Sequence, residues 1–243
     1  MEAVFHLAAV VEHDRFESQP HDSFDANVTG TLAVLNYCQR VQAGCVYAST
    51  SAVYDPLHTG ELLSEDSPVK PASQYAVSKW LGENICFEQS REHLIPCAVM
   101  RIFNVYGPGQ RSSFLVPYVL DCLIGNRTMS LRMPDAKRDF VYIDDVTEGL
   151  IKASEFHASA FREYNLATGT ANRVLDLVSE AESVYGPSVG TDKALAHPGE
   201  PMDVVADVSR ARRELEWSPQ FDLKSGLSAI KAGISSPQRS SLT

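Results

Sequence analysis

Two side chains that could carry out proton transfer, Tyr75 and Lys79, lie four residues apart in a segment with helical periodicity. On a helix this spacing places both side chains on one face, one turn from each other. A nearby ammonium favours the tyrosinate, so the spacing predicts that Lys79 lowers the pKa of Tyr75 and lets the phenol act as a base. Thr50 ends an apolar segment earlier in the chain, and its hydroxyl could hold the substrate alcohol that Tyr75 deprotonates. The same spacing also occurs on solvated helix faces, so the pair alone does not establish a site.

These residues belong to a stretch in which strand-like and helix-like segments alternate. Short apolar runs predict strands at residues 3–8, 45–48 and 97–103, because they are too short for buried helices. Apolar residues at helical spacing predict helices at 22–42 and 73–93. Strands separated by helices are typical of a parallel sheet with crossover helices, so the fold class is α/β.

The pattern changes after Gly109. Helices are predicted at 114–125, 145–156, 173–185, 210–215 and 222–233, with a strand at 140–143. We therefore expect two regions, residues 1–105 and 106–234, with a segment at about 140–170 that rejoins the sheet of the first region. The Ser-rich tail, residues 235–243, is predicted to be disordered.

Composition narrows the classes of function. The formal net charge of −10 argues against a nucleic-acid partner, since phosphate backbones require a basic surface. No apolar run is long enough to span a bilayer and the first residues do not resemble a signal peptide, so we predict a cytoplasmic protein without membrane contact. The histidines show no metal-binding spacing, so no metal site is predicted, and the five cysteines are interpreted as buried reduced thiols.

Six segments together resemble the extended short-chain dehydrogenase/reductase family, which contains the NAD-dependent nucleotide-sugar epimerases and dehydratases. The resemblance implies a Rossmann-like doubly wound parallel sheet, with residues 1–105 in the cofactor-binding part and 106–234 mostly in a smaller α/β region that binds the nucleotide sugar. Within the family the chain is most similar to the UDP-glucose 4-epimerases. The six segments are Val4-Phe5-His6-Leu7-Ala8-Ala9, Asn27-Val28-Thr29-Gly30-Thr31, residues 46–54, Tyr75-Ala76-Val77-Ser78-Lys79, residues 101–109 and residues 138–146.

The resemblance also implies a role for individual residues. Thr50 would hydrogen-bond the reacting sugar hydroxyl, Tyr75 would be the general base and acid, and Lys79 would bind the nicotinamide ribose. The NAD site would further include Ala8, Asn27, Ser49 and Phe103. The substrate site would include Asn104, Val116, Arg138 and His197, with Asn104 and Arg138 on the diphosphate. Each of these two residues has a structural alternative. Asn104 would instead cap a loop with its amide, and Arg138 would instead form a salt bridge to Asp135 or Asp139.

The chain departs from the family pattern at two places. No glycine-rich turn precedes Val4, although the backbone amides of such a turn bind the cofactor pyrophosphate in the family. We therefore expect an N-terminally truncated sheet, an exposed edge at Val4 and weak NAD binding by the chain alone. His197 occupies a position where relatives usually have an arginine, and histidine lacks the planar charged fork of that side chain.

Ser51 and Ala52 distinguish among the reactions of the family. The 4,6-dehydratases have an Asp-Glu pair there for water elimination, and the UDP-glucuronate decarboxylases keep the glutamate. Serine and alanine cannot supply that acid and base. What remains is 4-epimerase chemistry on a UDP- or dTDP-hexose through a transient 4-keto sugar. A 4-ketoreductase and an inactive, truncated chain are the alternatives.

The resemblance also implies a homodimer in which the helices at 22–42 and 73–93 pair with their copies. The apolar candidates for this contact are Leu32, Leu35, Trp80 and Ile85, some of which must face the sheet instead.

Overall fold

The computed structural model describes residues 2–58, 60–155, 161–188, 190–194 and 203–235. Its first part consists of β1 (Ala3–His6), α1 (His13–Ser18), α2 (Pro20–Phe24), α3 (Gly30–Val41), β2 (Gly44–Thr50), α4 (Gln74–His93) and β3 (Cys97–Ile102). A π-helical segment, Asp25–Thr29, joins α2 to α3 without a break. The predicted helices at 22–42 and 73–93 are thus confirmed, whereas α1 was not predicted.

The second part begins with β4 (Asn104–Tyr106), α5 (Leu115–Ile124), β5 (Met129–Arg132), β6 (Lys137–Arg138), β7 (Phe140–Tyr142) and α6 (Ile143–Glu155). It continues with β8 (Phe161–Leu166), β9 (Asn172–Arg173), α7 (Val174–Tyr185), β10 (Thr191–Ala194), β11 (Asp203–Val204), α8 (Ser209–Glu214) and α9 (Leu223–Ser235). All five helices predicted after Gly109 are present. The disordered tail was predicted to begin at Ser235, but Ser235 is the last residue of α9, so the prediction is wrong for this residue. The rest of the predicted tail, residues 236–243, lies outside the described residues.

A parallel four-stranded sheet with the order β1-β2-β3-β8 organises the first part. Each pair of neighbouring strands is joined through helices, since parallel strands cannot be connected by a tight hairpin. The α/β fold with a parallel sheet and crossover helices is therefore confirmed. β8 belongs to this sheet although it follows the second region along the chain, and the division at residue 105 stays a prediction.

Both faces of the sheet are covered, because successive residues of a strand point to opposite faces. Tyr47 and Cys45 of β2 pack with Leu35 of α3 and Cys86 of α4. On the other face, residues of β2 and β3 pack with α6 and Trp217. Full burial of an apolar side chain stabilises a fold by about 1.5–3 kcal/mol, so these two layers hold β2 and α4 in place. All five cysteines are buried free thiols, as interpreted from the sequence.

The second part has a core of its own, in which α5, α7 and α9 pack around β5 and β7. It is connected to the sheet through the parallel pair β4 and β7, with Asn104 opposite Phe140. None of the helices in the described residues is long and apolar enough to cross a membrane.

Candidate active site

Thr50 and Tyr75 meet at the carboxyl-terminal edge of the sheet. Thr50 is the last residue of β2, and Tyr75 lies in the first turn of α4. Ser73 fixes the start of this helix, because its hydroxyl accepts a hydrogen bond from the Ala76 amide at 3.1 Å, as in a typical N-cap. The Thr50 hydroxyl lies close enough to the Tyr75 phenol to lower its pKa. The two side chains are therefore neighbours, and their joint contact with a substrate alcohol stays a prediction.

The pKa of Tyr75 does not follow the expectation from spacing. Burial raises it above the ordinary value, and the nearby Thr50 hydroxyl offsets part of that increase. The prediction that Lys79 lowers it is wrong for this structure. The Lys79 ammonium lies over the Tyr47 ring, 4.2 Å from its centroid, and the burial of the phenol dominates.

Lys79 is held on the buried side of α4 and is only 3% exposed. Burial lowers the pKa of its ammonium from 10.5 to about 8. Within the described part of the chain no acceptor hydrogen-bonds this ammonium, so its donors are open to a ligand. A buried cation with open donors fits the hydroxyl groups of a ribose, which is the role that the resemblance implies.

Gly82 allows α4 to approach β2 closely enough for this arrangement. A Cβ atom at this position would lie 2.2 Å from the Tyr47 hydroxyl oxygen. The same hydroxyl donates a hydrogen bond to the Lys79 carbonyl at 3.3 Å. Glycine is therefore required here for packing, and the close contact fixes the turn that carries Lys79.

Asn27 connects the segment after β1 to α4. Its side-chain Nδ2 donates to the Val10 carbonyl and to the Ser78 hydroxyl, both at 2.9 Å, and its Oδ1 accepts from the Val10 amide at 2.7 Å. It lies in the π-helical segment, a geometry frequent at functional sites. Its amide is committed to these contacts, and its place beside the cofactor stays a prediction.

Ser49 begins a buried charged network that extends to β8. Its hydroxyl donates to the Glu83 carboxylate of α4. Arg101 of β3 donates to both oxygens of Glu83 at 2.8–3.3 Å and to Glu163 of β8 at 2.7 Å. Glu83 and Arg101 are each 3% exposed. Pairing of this kind offsets the cost of burying charged side chains.

The residues assigned to the diphosphate lie at the start of the second part. Asn104 donates from its backbone and its side chain to the Asp139 carbonyl, at 3.1 and 3.3 Å. The Asp139 carboxylate accepts from the turn at 168–169 and from the Ala206 amide, which fixes the neighbouring strand end. Arg138 precedes it, is partly exposed, and donates to the Lys137 carbonyl at 2.9 Å. Their contact with substrate stays a prediction.

The other residues predicted for the NAD and substrate sites lie in different surroundings. Ala8 is exposed just after β1, where a small side chain leaves the backbone accessible. Phe103 and Val116 are buried in two different core clusters. His197 lies outside the described residues.

Sequence reasoning missed Phe16, whose ring packs edge-on against Tyr75 with centroids 6.2 Å apart. A single apolar residue within the polar helix α1 gives no periodic signal. It also missed Glu83 and Arg101, for which signals existed. Glu83 continues the four-residue spacing of Tyr75 and Lys79, and Arg101 is a charge inside an otherwise apolar strand.

Comparison with known proteins places this geometry in a family. Residues 1–167 match the model of the NAD dependent epimerase/dehydratase family. UDP-glucuronic acid decarboxylase 3 of Arabidopsis thaliana is 26% identical over 234 residues, covering 93% of this chain and 68% of that protein. The dTDP-glucose 4,6-dehydratase of Streptomyces griseus is 30% identical over 232 residues, covering 94% and 70%.

A solved structure agrees with these matches. UDP-glucuronic acid 4-epimerase from Bacillus cereus, in complex with UDP-glucuronic acid and NAD, superposes with a TM-score of 0.86 and 30% identity, covering 96% of this chain and 75% of that one. Two findings lead to one conclusion. The sheet is of the Rossmann type, with Thr50, Tyr75 and Lys79 at its edge, and the family model matches more than half of the sequence. This chain is a member of the NAD dependent epimerase/dehydratase family, the enzymes of nucleotide-sugar conversion.

Proposed function

We propose that the protein is an NAD-dependent 4-epimerase of a UDP- or dTDP-hexose. The observation that carries this proposal is the juxtaposition of Thr50 and Tyr75, with Lys79 one helical turn away. These groups suffice to move one proton at a sugar hydroxyl. NAD, when bound beside Tyr75 and Lys79, would supply the hydride acceptor and donor for the sugar carbon.

Each side chain has a separate task in this reaction. Thr50 orients the C4 hydroxyl of the sugar, and Tyr75 takes its proton and later gives it back. Lys79, with a pKa of about 8, is mainly protonated at pH 7 and supplies positive charge on the same helix face. Because burial raises the pKa of Tyr75, the phenol is neutral at pH 7 and must lose its proton before it acts as a base.

The residues after Thr50 favour epimerisation over elimination or decarboxylation. Ser51 and Ala52 form a 3-10 turn directly after β2, and the Ala52 amide donates to the Thr50 hydroxyl oxygen at 3.2 Å. Neither side chain can serve as an acid or base at neutral pH. A second proton transfer, which elimination requires, therefore has no group at this position.

The test replaces Tyr75 by phenylalanine in the full protein supplied with NAD. Loss of the proton carrier should lower the conversion of UDP-hexoses between C4 epimers by about 10²–10⁴-fold, while the fold remains unchanged. Tyr37→Phe removes the same hydroxyl from an exposed position on α3 and should leave the rate unchanged.

NMR of the sugar products and NADH absorbance distinguish the possible outcomes. An epimerase produces both C4 epimers without net consumption of cofactor. Stoichiometric oxidation of NADH with a 4-keto sugar would instead identify a 4-ketoreductase. Undiminished epimerisation by Tyr75→Phe would contradict the assignment, and no turnover by the native protein with any UDP- or dTDP-hexose would favour an inactive chain.

We further propose a homodimer through α3 and α4. Leu32 and Trp80 are 38% and 37% exposed and remain available for such a contact. Leu35 is fully buried against the sheet and Ile85 packs on the same cluster, so these two candidates face inwards. Sedimentation should give twice the chain mass, and Trp80→Glu should give monomers because it places a charge in the contact. A native monomer at micromolar concentration would contradict the proposal.

A further inference from the structure

Glu83 links the two elements that carry the reactive side chains. It lies one helical turn after Lys79 on α4, and its carboxylate accepts the hydrogen of Ser49, the residue before Thr50 on β2. A single side chain therefore joins the turn of the helix that carries the ammonium to the strand end that carries the hydroxyl.

Arg101 fixes the orientation of this carboxylate. It donates from Nε and Nη2 to both Glu83 oxygens, which leaves the carboxylate little rotational freedom. A buried ion pair of this kind is weak support for stability alone, because well-packed apolar residues often stabilise a fold at least as well. Its position between α4 and the end of β2 points to a role in geometry.

We propose that Glu83 is a positioning residue for the reaction, which holds Ser49 and the Lys79 turn of α4 at a fixed separation. The inference rests on the proposed function, since it assigns Glu83 to the same site. Glu83 is only 3% exposed and acts through Ser49 and Lys79.

The charge of Glu83 provides a second link to Lys79. Burial is the main cause that lowers the pKa of Lys79, and the negative charge of Glu83 opposes it. Removal of the Glu83 charge leaves Arg101 less compensated and should lower the pKa of Lys79 further. The titratable groups around the ammonium are His6 of β1, Tyr47 of β2, and Tyr75, Glu83 and Cys86 of α4.

The experiment compares Glu83→Gln with Glu163→Gln in the full protein with NAD. Glu163 also binds Arg101 but makes no hydrogen bond to Ser49, so it is a matched control for the loss of a carboxylate. We expect Glu83→Gln to lower kcat by about 10- to 100-fold, because small displacements of reacting groups have effects of that size. KM for the nucleotide sugar should change by less than about threefold, and Glu163→Gln should resemble the native protein.

Ser49→Ala removes the other half of the contact and leaves the ion pair of Glu83 and Arg101 intact. It therefore keeps the test informative if Glu83→Gln does not fold. Both variants should lower kcat through the same bond, so the double variant should lose less than the product of the two single losses. Multiplicative losses, or a native kcat in both single variants, would overturn the proposal.

Nitrogen-15 NMR of the lysine side chains gives a measurement that does not depend on turnover. The Lys79 signal is assigned from its absence in Lys79→Met, and its pKa is followed in each variant. We expect a lower pKa in Glu83→Gln, with the alkaline limb of the kcat profile moved to lower pH. An unchanged Lys79 pKa with native turnover refutes the inference, whereas absent turnover in the native protein refutes the proposed function and leaves the titration to decide the role of Glu83.

Discussion

Replacing Lys79 by methionine should stabilise the fold. The ammonium is 3% exposed, and its pKa falls from 10.5 to about 8 because of burial. A lowered pKa means that the folded chain binds this proton more weakly than the unfolded chain does. At about 1.4 kcal/mol per pH unit, the lowered pKa of Lys79 means that burial of its charge reduces the free energy of unfolding by about 3 kcal/mol at pH 7.

Two effects modify the gain in stability expected for Lys79→Met. The face of the Tyr47 ring attracts the ammonium at 4.2 Å, and a desolvated contact of this kind contributes about 0.5–2 kcal/mol, which methionine loses. Methionine is unbranched and flexible, so it should fill the space of the lysine stem with little strain. The expected net gain at pH 7 is therefore about 1–3 kcal/mol.

The sign of the pH dependence follows from the same values. Below pH 8 Lys79 is protonated in the folded and the unfolded chain, so the full cost is present. Between about 8 and 10.5 the folded chain releases the proton first, and the native protein becomes more stable relative to the variant. The advantage of Lys79→Met should consequently narrow by about 1–2 kcal/mol between pH 7.5 and pH 9.5.

Urea unfolding followed by circular dichroism measures both effects. Lys70→Met is the matched control, because the Lys70 side chain is 68% exposed and its replacement should change stability by less than about 0.5 kcal/mol. Equal stability of Lys79→Met and the native protein at pH 7, or an advantage independent of pH, would refute the argument from burial.

Two further substitutions test the packing that positions the site. Gly82→Ala should lower the free energy of unfolding by about 1–3 kcal/mol, because its Cβ would meet the Tyr47 hydroxyl at 2.2 Å. The control is Gly233→Ala, which has nothing within 4 Å of the added Cβ and should be neutral or stabilising. Equal urea midpoints for the two variants would contradict this prediction. Asp139→Asn should lower it by about 2–3 kcal/mol, since an amide offers a donor where the carboxylate accepts four hydrogen bonds. The exposed Asp144→Asn is the control, and thermal unfolding that does not separate the two would count against this account.

Local geometry could be predicted from the sequence because it depends on spacing alone. Tyr75 and Lys79 share a helix, and a period of about four residues fixes their common face. The apolar runs that became β2 and β3 were also identified, since buried parallel strands are continuously apolar. The approach of Thr50 to Tyr75 is a tertiary contact, which the residue types suggested and the resemblance to the family implied.

Other elements gave no usable pattern. β8 contains Arg162 and Glu163 near its start and lies at one side of the sheet, so it lacks the continuous apolar character of the central strands. The helix α1 is short and polar, with only Phe16 buried. In both cases long-range packing determines the structure, and a single-sequence pattern does not contain it.

The pKa of Tyr75 shows why position can be predicted more readily than energy. The spacing to Lys79 correctly predicted two side chains on one helix, but it assumed that charge proximity outweighs burial. Burial opposes charge on both groups, because it raises the pKa of the phenol and lowers that of the ammonium. Burial therefore favours a neutral tyrosine, and stabilisation of its anion requires compensating charge from Lys79, the group whose protonation we expect Glu83 to support.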